Sequence, residues 1–104
     1  MEIINLWTAI AQMRELTARD IPFSFEHHTW DRERNKSTGL RTVDRALLRP
    51  AARADDLRDA DHKLFYQDLS VADPTKNARN CWQILIVRFN GIPVTPKQPF
   101  YESV

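Results

Sequence analysis

The apolar positions at the start of the chain repeat at the spacing of one helix face. They are Ile3, Leu6, Trp7, Ile10, Met13 and Leu16. Steps of three and four residues bring these side chains to one side of an α-helix, while most polar residues fall on the other side. Pro22 lacks a backbone N–H and disfavours helical geometry at Ile21, the residue before it. We therefore predict a helix over residues 2–19 that ends near Asp20.

After this proline the apolar period changes from that of a helix to that of a strand. Residues 23–30 alternate apolar and more polar side chains, as in a strand with one buried face. The polar stretch over 32–37 interrupts the pattern, which resumes over 40–48. Gly39 lies just before the second strand and tolerates a positive φ that other residues resist. The segment therefore predicts a β-hairpin with a charged tip.

The second half of the chain predicts further strands separated by loops. The predictions are strands over 63–71 and 81–90, a short extended piece over 92–95, a flexible acidic loop over about 51–62 and an irregular tail over about 96–104. The two strands have the aromatic and β-branched content that favours extended structure. Asn90 and Gly91 form a turn pair, which predicts a hairpin at the end of the last long strand. Pro96 and Pro99 limit the tail to irregular structure.

One helix followed by four strands with short connections favours an α+β fold. We predict a single domain, residues 1–104, in which the N-terminal helix packs on a four-stranded antiparallel meander sheet. A chain of 104 residues can bury a modest core without metals or disulfides. Its 42% hydrophobic and 28% charged residues are typical of a globular protein.

The strand predicted over 81–90 carries apolar side chains on both of its faces. Trp82, Ile84 and Ile86 fall on one face, and Leu85, Val87 and Phe89 on the other. A single helix covers only one face of a sheet, so something else must cover the second. We infer that the chain self-associates, and that Phe100 and Tyr101 in the tail are candidate anchors on a partner.

Cysteine usage and the lack of long apolar runs indicate a cytoplasmic protein that does not contact membranes. Cys81 is the only cysteine, so no disulfide forms within the chain. The first residues, MEIINLW, lack the basic region and long apolar core of a signal peptide. No apolar run approaches the ~20 residues that a membrane-spanning helix needs.

The histidines and the cysteine do not form a specific catalytic or metal-binding pattern. His27 and His28 are adjacent on a predicted strand and point to opposite faces, so they cannot easily bind one ion together. Cys81 and His62 would form a nucleophile pair only if the third and fourth strands bring them together. Cys81 also begins an apolar strand, where a thiol usually packs as a small hydrophobic side chain.

The acids and glycines also lack the order that ion or nucleotide sites need. The acids of the 51–62 loop have neither the glycine nor the ligand spacing of a calcium-binding loop. Gly39 and Gly91 are the only glycines, and neither lies between a strand and a helix, where phosphate is bound. We therefore predict a protein that is not an enzyme and that uses no metal or cofactor.

Charged side chains are segregated along the chain, although the net charge is only +1. Residues 32–53 carry seven basic and two acidic side chains, a balance of +5, and residues 54–73 carry two basic and six acidic ones, a balance of −4. The candidate interaction surface on the hairpin consists of Trp30, Arg32, Arg34, Lys36, Arg41, Arg45 and Arg49. The last three share strand parity, so we predict that they line one face.

Two kinds of partner fit this surface. The arginines could follow the phosphates of a nucleic acid while Trp30 stacks on a base. Alternatively, they form an ordinary solvated face whose long stems cover apolar surface, or they pair with the acidic segment of the same subunit or of a neighbouring one. The nearly neutral whole chain favours the protein partner, because dedicated nucleic-acid-binding domains are usually basic.

Two segments of the chain together contain an aromatic strand, a charged TWDR hairpin with a glycine, and an apolar strand that ends in Asn-Gly. These are 23-FSFEHHTWDRERNKSTGLRTVDRALLRP-50 and 81-CWQILIVRFNGIPV-94. In these segments the chain resembles small uncharacterised proteins of bacterial prophage and mobile-element gene clusters. The resemblance implies a structural or assembly role, with association with a virion if the protein derives from a phage. It identifies no functional residues in this chain.

The sequence therefore predicts a non-enzymatic protein–protein interaction or assembly module. We expect it to self-associate through its sheet and charged hairpin, or to bind other assembly proteins, as a structural component of a phage or mobile element. The alternative is a small nucleic-acid-binding accessory protein that uses the basic hairpin over 32–49.

Overall fold

The computed structural model describes residues 2–31, 34–50, 62–73 and 75–95. Its elements are β1 (Ile4–Asn5), α1 (Leu6–Ala18), β2 (Phe23–Asp31), β3 (Lys36–Leu48), β4 (Lys63–Asp68), β5 (Ala78–Trp82), a 3-10 turn (Gln83–Leu85), β6 (Ile86–Phe89) and β7 (Ile92–Thr95). Most of the predicted acidic loop, residues 51–61, and the predicted tail from residue 96 onward lie outside the described residues.

The helix α1 begins later than predicted because Asn5 caps it. Asn5 has an extended backbone, with φ −78° and ψ 157°, and its side-chain oxygen accepts a hydrogen bond from the Thr8 N–H at 2.9 Å. This satisfies one of the N–H groups that have no partner within the helix. The two residues before the helix form β1 instead of a helical turn.

The end of α1 agrees with the predicted stop near Asp20. Asp20 has a positive φ of 59°. Its N–H donates to the carbonyl oxygen of Thr17 at 3.0 Å, and the Ile21 N–H donates to that of Leu16 at 2.9 Å. These two bonds form a Schellman motif, in which the chain leaves the helix through one left-handed residue.

The strands of the described residues form one seven-stranded sheet in the order β1-β7-β6-β2-β3-β4-β5. All described pairs are antiparallel except β1 with β7, which is parallel and places Ile4 opposite Val94. The α+β class, with one N-terminal helix on a mostly antiparallel sheet, is confirmed. The predicted four-stranded meander is wrong, because two short strands extend one edge and one predicted strand is divided.

The strand predicted over 81–90 is divided between distant parts of the sheet. Its first part, β5, pairs with β4, and its last part, β6, pairs with β2. These two strands are four positions apart in the strand order, which is about 19 Å in a flat sheet at ~4.8 Å per strand. The four-residue step from Trp82 to Ile86 spans at most ~14 Å. The sheet must therefore curl, and its concave face holds the core.

A β-bulge on β3 changes which of its residues share a face. Phe23 lies opposite Ala46, and Phe25 lies opposite Val43, so three steps on β3 match two steps on β2. Because the alternation of faces is broken there, residues with the same parity before and after the bulge point to opposite faces. Val43 and Ala46 are both buried on the concave face as a result.

Another bulge, on β6, brings the large apolar side chains of that strand to one face. The extra residue is Val87, which follows Ile86 in the pairing with β2. Ile86 and Phe89 consequently share the buried face. The prediction of two apolar faces over 81–90 is wrong, so self-association cannot be argued from a second apolar face. Ile84, in the 3-10 turn, is 66% exposed.

The core lies between α1 and the concave face of the sheet. Its buried residues are Ile4, Leu6, Ala9, Ile10, Met13, Phe23, Phe25, Val43, Ala46, Leu64, Tyr66, Cys81, Ile86 and Phe89. Aromatic rings join the strands: the centroids of Phe23 and Phe89 are 5.8 Å apart, and Phe25 and Tyr66 meet edge to face at 4.9 Å. The end of the helix is fixed to β3, because the Leu48 N–H donates to Thr17 Oγ1 at 3.0 Å.

The hairpins differ from the predictions in one place and agree in another. The tip of the β2–β3 hairpin contains Asn35, which has a positive φ of 52°. Gly39 has the positive φ expected for it, 136°, but it lies within β3 and not at the tip. The predicted Asn90-Gly91 turn is confirmed between β6 and β7, with φ values of 49° and 82° that match a type I′ turn. Among the residues that the structure describes, no helix has the length and apolar composition needed to cross a membrane.

Candidate functional site

The concave face is open beyond the core, where it forms a cleft of about 270 Å³. One wall comes from β2, the other from β5, and β3 and β4 each contribute one residue. The lining residues are His27, His28, Thr29, Trp30, Arg41, Tyr66, Arg79, Asn80, Cys81 and Trp82. None of these described residues is acidic, so the cleft carries positive charge from its two arginines.

The floor of the cleft is a hydrogen-bonded pair of His27 and Tyr66. His27 Nδ1 lies 3.1 Å from the carbonyl oxygen of His28, and Nε2 lies 3.1 Å from the Tyr66 hydroxyl oxygen. A carbonyl oxygen can only accept, so Nδ1 carries the proton and Nε2 is the acceptor for the Tyr66 O–H. Both side chains are almost completely buried, at 3% and 1% exposure.

Burial keeps both members of this pair neutral. Loss of solvation lowers the pKa of His27 below its ordinary value and raises the pKa of Tyr66 above its own. The charge of Arg41 also lowers the pKa of each, a smaller effect than burial. A neutral imidazole that accepts and a neutral phenol that donates therefore match each other near neutral pH.

Two guanidinium groups line the cleft together with this neutral pair. Arg41 lies directly opposite His27 in the β2–β3 pairing and is exposed. Within the described part of the chain it makes no hydrogen bond or ion pair. Arg79, on β5, is half-buried, and its Nη1 donates to the carbonyl oxygens of Lys76 at 2.5 Å and Ala78 at 3.2 Å. Arg79 is thus held in place by backbone, whereas no described residue engages the donors of Arg41.

Cys81 is an unreactive member of the lining. It is 6% exposed, and burial raises the pKa of its thiol to about 12. The β4–β5 pairing places it opposite Leu64, while His62 is exposed before β4 begins. The structure therefore places the cysteine in the core and does not bring these two residues together as a nucleophile and base.

A second, apolar depression adjoins the cleft at the 3-10 turn. It also measures about 270 Å³ and is lined by Trp30, Trp82, Ile84 and Leu85. Trp30 is 44% exposed. Trp82 is half-buried, and Lys63 Nζ lies 5.1 Å from its ring centroid. Because Trp30 and Trp82 line both depressions, they form the wall between the basic cleft and the apolar surface.

The bulge on β3 breaks up the predicted row of arginines. Arg41 faces the cleft, but Arg45 lies in the bulge between the buried Val43 and Ala46, so it points to the opposite face and does not continue the row. Arg34 and Lys36 are exposed near the hairpin tip. The remaining members of the predicted surface, Arg32, Phe100 and Tyr101, lie outside the described residues.

Arg49, predicted as a surface contact, ties three strands together. Its guanidinium carbon lies 5.4 Å from the centroid of the buried Phe65 ring. Its Nε donates to the carbonyl oxygen of Tyr66 at 3.3 Å, and its Nη2 donates to that of Arg79 at 3.2 Å. Through these contacts the guanidinium joins the end of β3 to β4 and β5.

The sequence contained a partial signal for the floor of the cleft. His27 shares parity with Phe23 and Phe25, which predicts burial, and a buried imidazole needs a polar partner. Tyr66 could be proposed as such a partner only if β2 and β4 were known to approach. Arg79 gave no signal, because its segment was predicted as a loop. Within the described ranges, no group of three or more histidine, cysteine or acidic side chains converges to hold a metal ion.

Comparisons with protein-family models, with curated proteins and with solved structures find no match to this chain. The resemblance to prophage and mobile-element proteins therefore stays a prediction from the residues alone.

Proposed function

We propose that the protein is a non-enzymatic assembly module that self-associates through the surface made by Trp30, Trp82, Ile84 and Leu85. The observation that carries this proposal is the apolar depression that these side chains line, with Ile84 66% exposed and Trp30 44% exposed. Exposed apolar side chains that adjoin one another are typical of interaction surfaces, whereas single ones are common everywhere.

The partner that fits best is a second copy of the same chain. The basic hairpin begins at the edge of the apolar surface, since Trp30 is near the end of β2. The complementary acids are supplied by the chain itself, with a balance of −4 over residues 54–73. Apolar contact combined with opposite charges gives both affinity and a fixed orientation.

Size-exclusion chromatography with light scattering over about a hundredfold concentration range tests the proposal. The wild-type chain is expected to elute as a dimer or larger species at the upper end. Ile84→Glu should shift the protein to the monomer, because a carboxylate is costly to bury in an apolar interface. The matched control is Ile3→Glu: Ile3 is 63% exposed and lies beside β1, at the other edge in the strand order. A wild-type monomer at all concentrations would refute self-association.

The second candidate function is binding of single-stranded nucleic acid. It is supported by the exposed Trp30 beside Arg41, with the cations Arg34 and Lys36 exposed near the hairpin tip. Aromatic rings that stack on bases, next to cations that contact phosphates, are the usual elements of such a surface.

Fluorescence anisotropy of a labelled single-stranded oligonucleotide at several salt concentrations tests this candidate. Lys36→Gln should lower the salt slope of log affinity by about 0.7, as expected for one lost phosphate contact on a single strand. Lys76→Gln, in the exposed β4–β5 connection, is the matched control and should leave the slope unchanged. No binding at low salt would eliminate the candidate.

In the setting that the prophage resemblance suggests, we propose that the module acts in the cytoplasm or as part of a virion. Its partners are then copies of itself or other assembly proteins. The self-association test above bears on the first of these directly.

A further inference from the structure

We propose that the cleft between β2 and β5 is a binding site for a small aromatic oxyanion, a molecule in which a carboxylate or phosphate group is attached to one ring. The oxyanion would pair with Arg41, and the ring would lie against Trp30 and Trp82. The site does not require self-association, although Trp30 and Trp82 are shared with the proposed interface.

The choice of an anion follows from the charges around the cleft. Its lining contains two arginines and, among the described residues, no carboxylate. The acid whose charge acts on Tyr66 is Asp68, but its Oδ1 already accepts hydrogen bonds from the Ser70 N–H at 3.0 Å and the Ser70 hydroxyl at 2.5 Å. The guanidinium of Arg41 therefore stands in the cleft without a described counterion, and its planar donors match an oxyanion.

His27 and Tyr66, at the floor of the cleft, shape the site but carry no charge that would compete with Arg41 for an oxyanion or with the oxyanion for Arg41. Tyr66 donates its hydroxyl hydrogen to His27 Nε2, and the other imidazole nitrogen is occupied by the His28 carbonyl. Both groups are neutral and nine-tenths or more buried. The donors available to a ligand include those of Arg41 and of the exposed Asn80 on β5.

The size and wall of the cleft favour a ligand with one ring. A volume of about 270 Å³ is below the ~300–1,000 Å³ of sites for larger, drug-sized molecules. Trp30 and Trp82 line the cleft as well as the neighbouring depression. An aromatic ring beside the oxyanion can stack on these indoles, which an inorganic ion cannot do.

Titrations of the full chain with phenyl phosphate and with benzoate, followed by tryptophan fluorescence and calorimetry, test the site. At least one of the two is expected to bind with a dissociation constant below about 1 mM. The compound that binds more tightly shows whether the site prefers a phosphate or a carboxylate. Inorganic phosphate and benzyl alcohol, which each lack one half of the ligand, should bind at least about tenfold more weakly.

Arg41→Gln should weaken binding of the aromatic oxyanion at least about tenfold, because it removes the charged partner. Arg45→Gln is the matched control: it lies on the same strand, is also exposed, and faces away from the cleft at the bulge, so binding should not change. Absence of binding by both ring oxyanions up to about 10 mM would overturn the proposal. Equal weakening by the two substitutions would overturn it as well, since it would show attraction by net charge alone.

The same titration with Ile84→Glu separates this site from the proposed interface. Ile84 lines the apolar depression and not the cleft. Unchanged ligand affinity in this variant would support an independent site. Loss of binding in it would show that the ligand occupies the apolar surface instead, and would overturn the assignment to the cleft.

Discussion

At the scale of single residues, the hydrogen bond between Tyr66 and His27 links the core to the cleft. We predict that Tyr66→Phe lowers the free energy of unfolding by about 1–3 kcal/mol, because it leaves a buried imidazole nitrogen without a partner. Urea denaturation followed by circular dichroism measures the change. The phenyl ring should preserve the edge-to-face contact with Phe25. A loss below about 0.5 kcal/mol would indicate that water replaces the hydroxyl.

His27 should make the protein less stable in mild acid. Burial lowers the pKa of its imidazole in the folded chain, whereas the unfolded chain titrates near the ordinary value of about 6.5. The unfolded state therefore binds the proton more readily, and stability present above about pH 6.5 is lost as the pH falls through the lower, folded pKa. Urea titrations at a series of pH values between about 7 and 5 should show this loss.

The neighbouring histidine provides the control for that experiment. His27→Gln removes the titrating group and keeps an acceptor for Tyr66, so the stability of this variant should depend less on pH. His28→Gln changes an exposed neighbour whose charge is the smallest of the causes that act on the His27 pKa, so it should keep most of the wild-type dependence. Equal pH dependence in both variants would assign the effect to other groups.

At the scale of elements, the β6–β7 turn shows how one short connection sets the position of β6. Asn90 Oδ1 accepts a hydrogen bond from the Ser24 N–H at 2.9 Å, and the Asn90 N–H donates to the Ser24 carbonyl oxygen at 2.9 Å. The turn is thus joined to β2 as well as to its own strands.

Gly91→Ala should lower the free energy of unfolding by about 1–2 kcal/mol through backbone strain alone. Gly91 has a φ of 82°, and a Cβ added there would meet no atom within 4 Å. Gly91→Asn should cost less, because asparagine tolerates a positive φ better than alanine. Thermal unfolding of the two variants compares them, and equal losses would contradict the conformational explanation.

The limits of the sequence-based predictions also arise at the scale of elements. The helix, its end near Asp20 and the Asn90-Gly91 turn follow from local rules, and the structure agrees with them. The predicted apolar face is only partly buried, since Ile3 precedes the helix and Trp7 is 43% exposed. The bulges on β3 and β6 do not follow from such rules, because pairing with β2 creates them. Each one reverses the face of later residues, which is why the predicted row of Arg41 and Arg45 is broken. The Asn5 cap was visible in the sequence but was included in the predicted helix.

The cleft depends on long-range arrangement and was correspondingly harder to predict. His27 could be recognised as buried from its parity, and Trp30 was proposed as a surface residue. The approach of β5 to β2 depends on the 3-10 turn at Gln83–Leu85, where the sequence reads as a continuous apolar strand. A continuous strand would keep β5 in line with β6, so nothing in the local pattern predicts that β5 lies across the cleft from β2.

At the scale of the whole molecule, the reaction rate of the one thiol, on Cys81, measures how often β5 separates from the core. Cys81 is buried, with its pKa raised to about 12, so a thiol reagent near pH 8 should modify it at least about 100-fold more slowly than in the urea-unfolded chain. The time course of modification, measured by mass spectrometry, gives the rate. Equal rates in the native and unfolded states would contradict the burial of β5 against the core.

The pairing of β1 with β7 has a consequence for the order in which the protein folds. Ile4 lies opposite Val94, so this contact closes almost the whole chain length, whereas the β2–β3 hairpin joins neighbouring segments. Closing a longer loop costs more entropy, and contacts between distant segments slow folding. The hairpin should therefore form early, and the pairing of β1 with β7 should complete the sheet last. Since β1 has only two residues, the same edge is also where native-state amide exchange should begin.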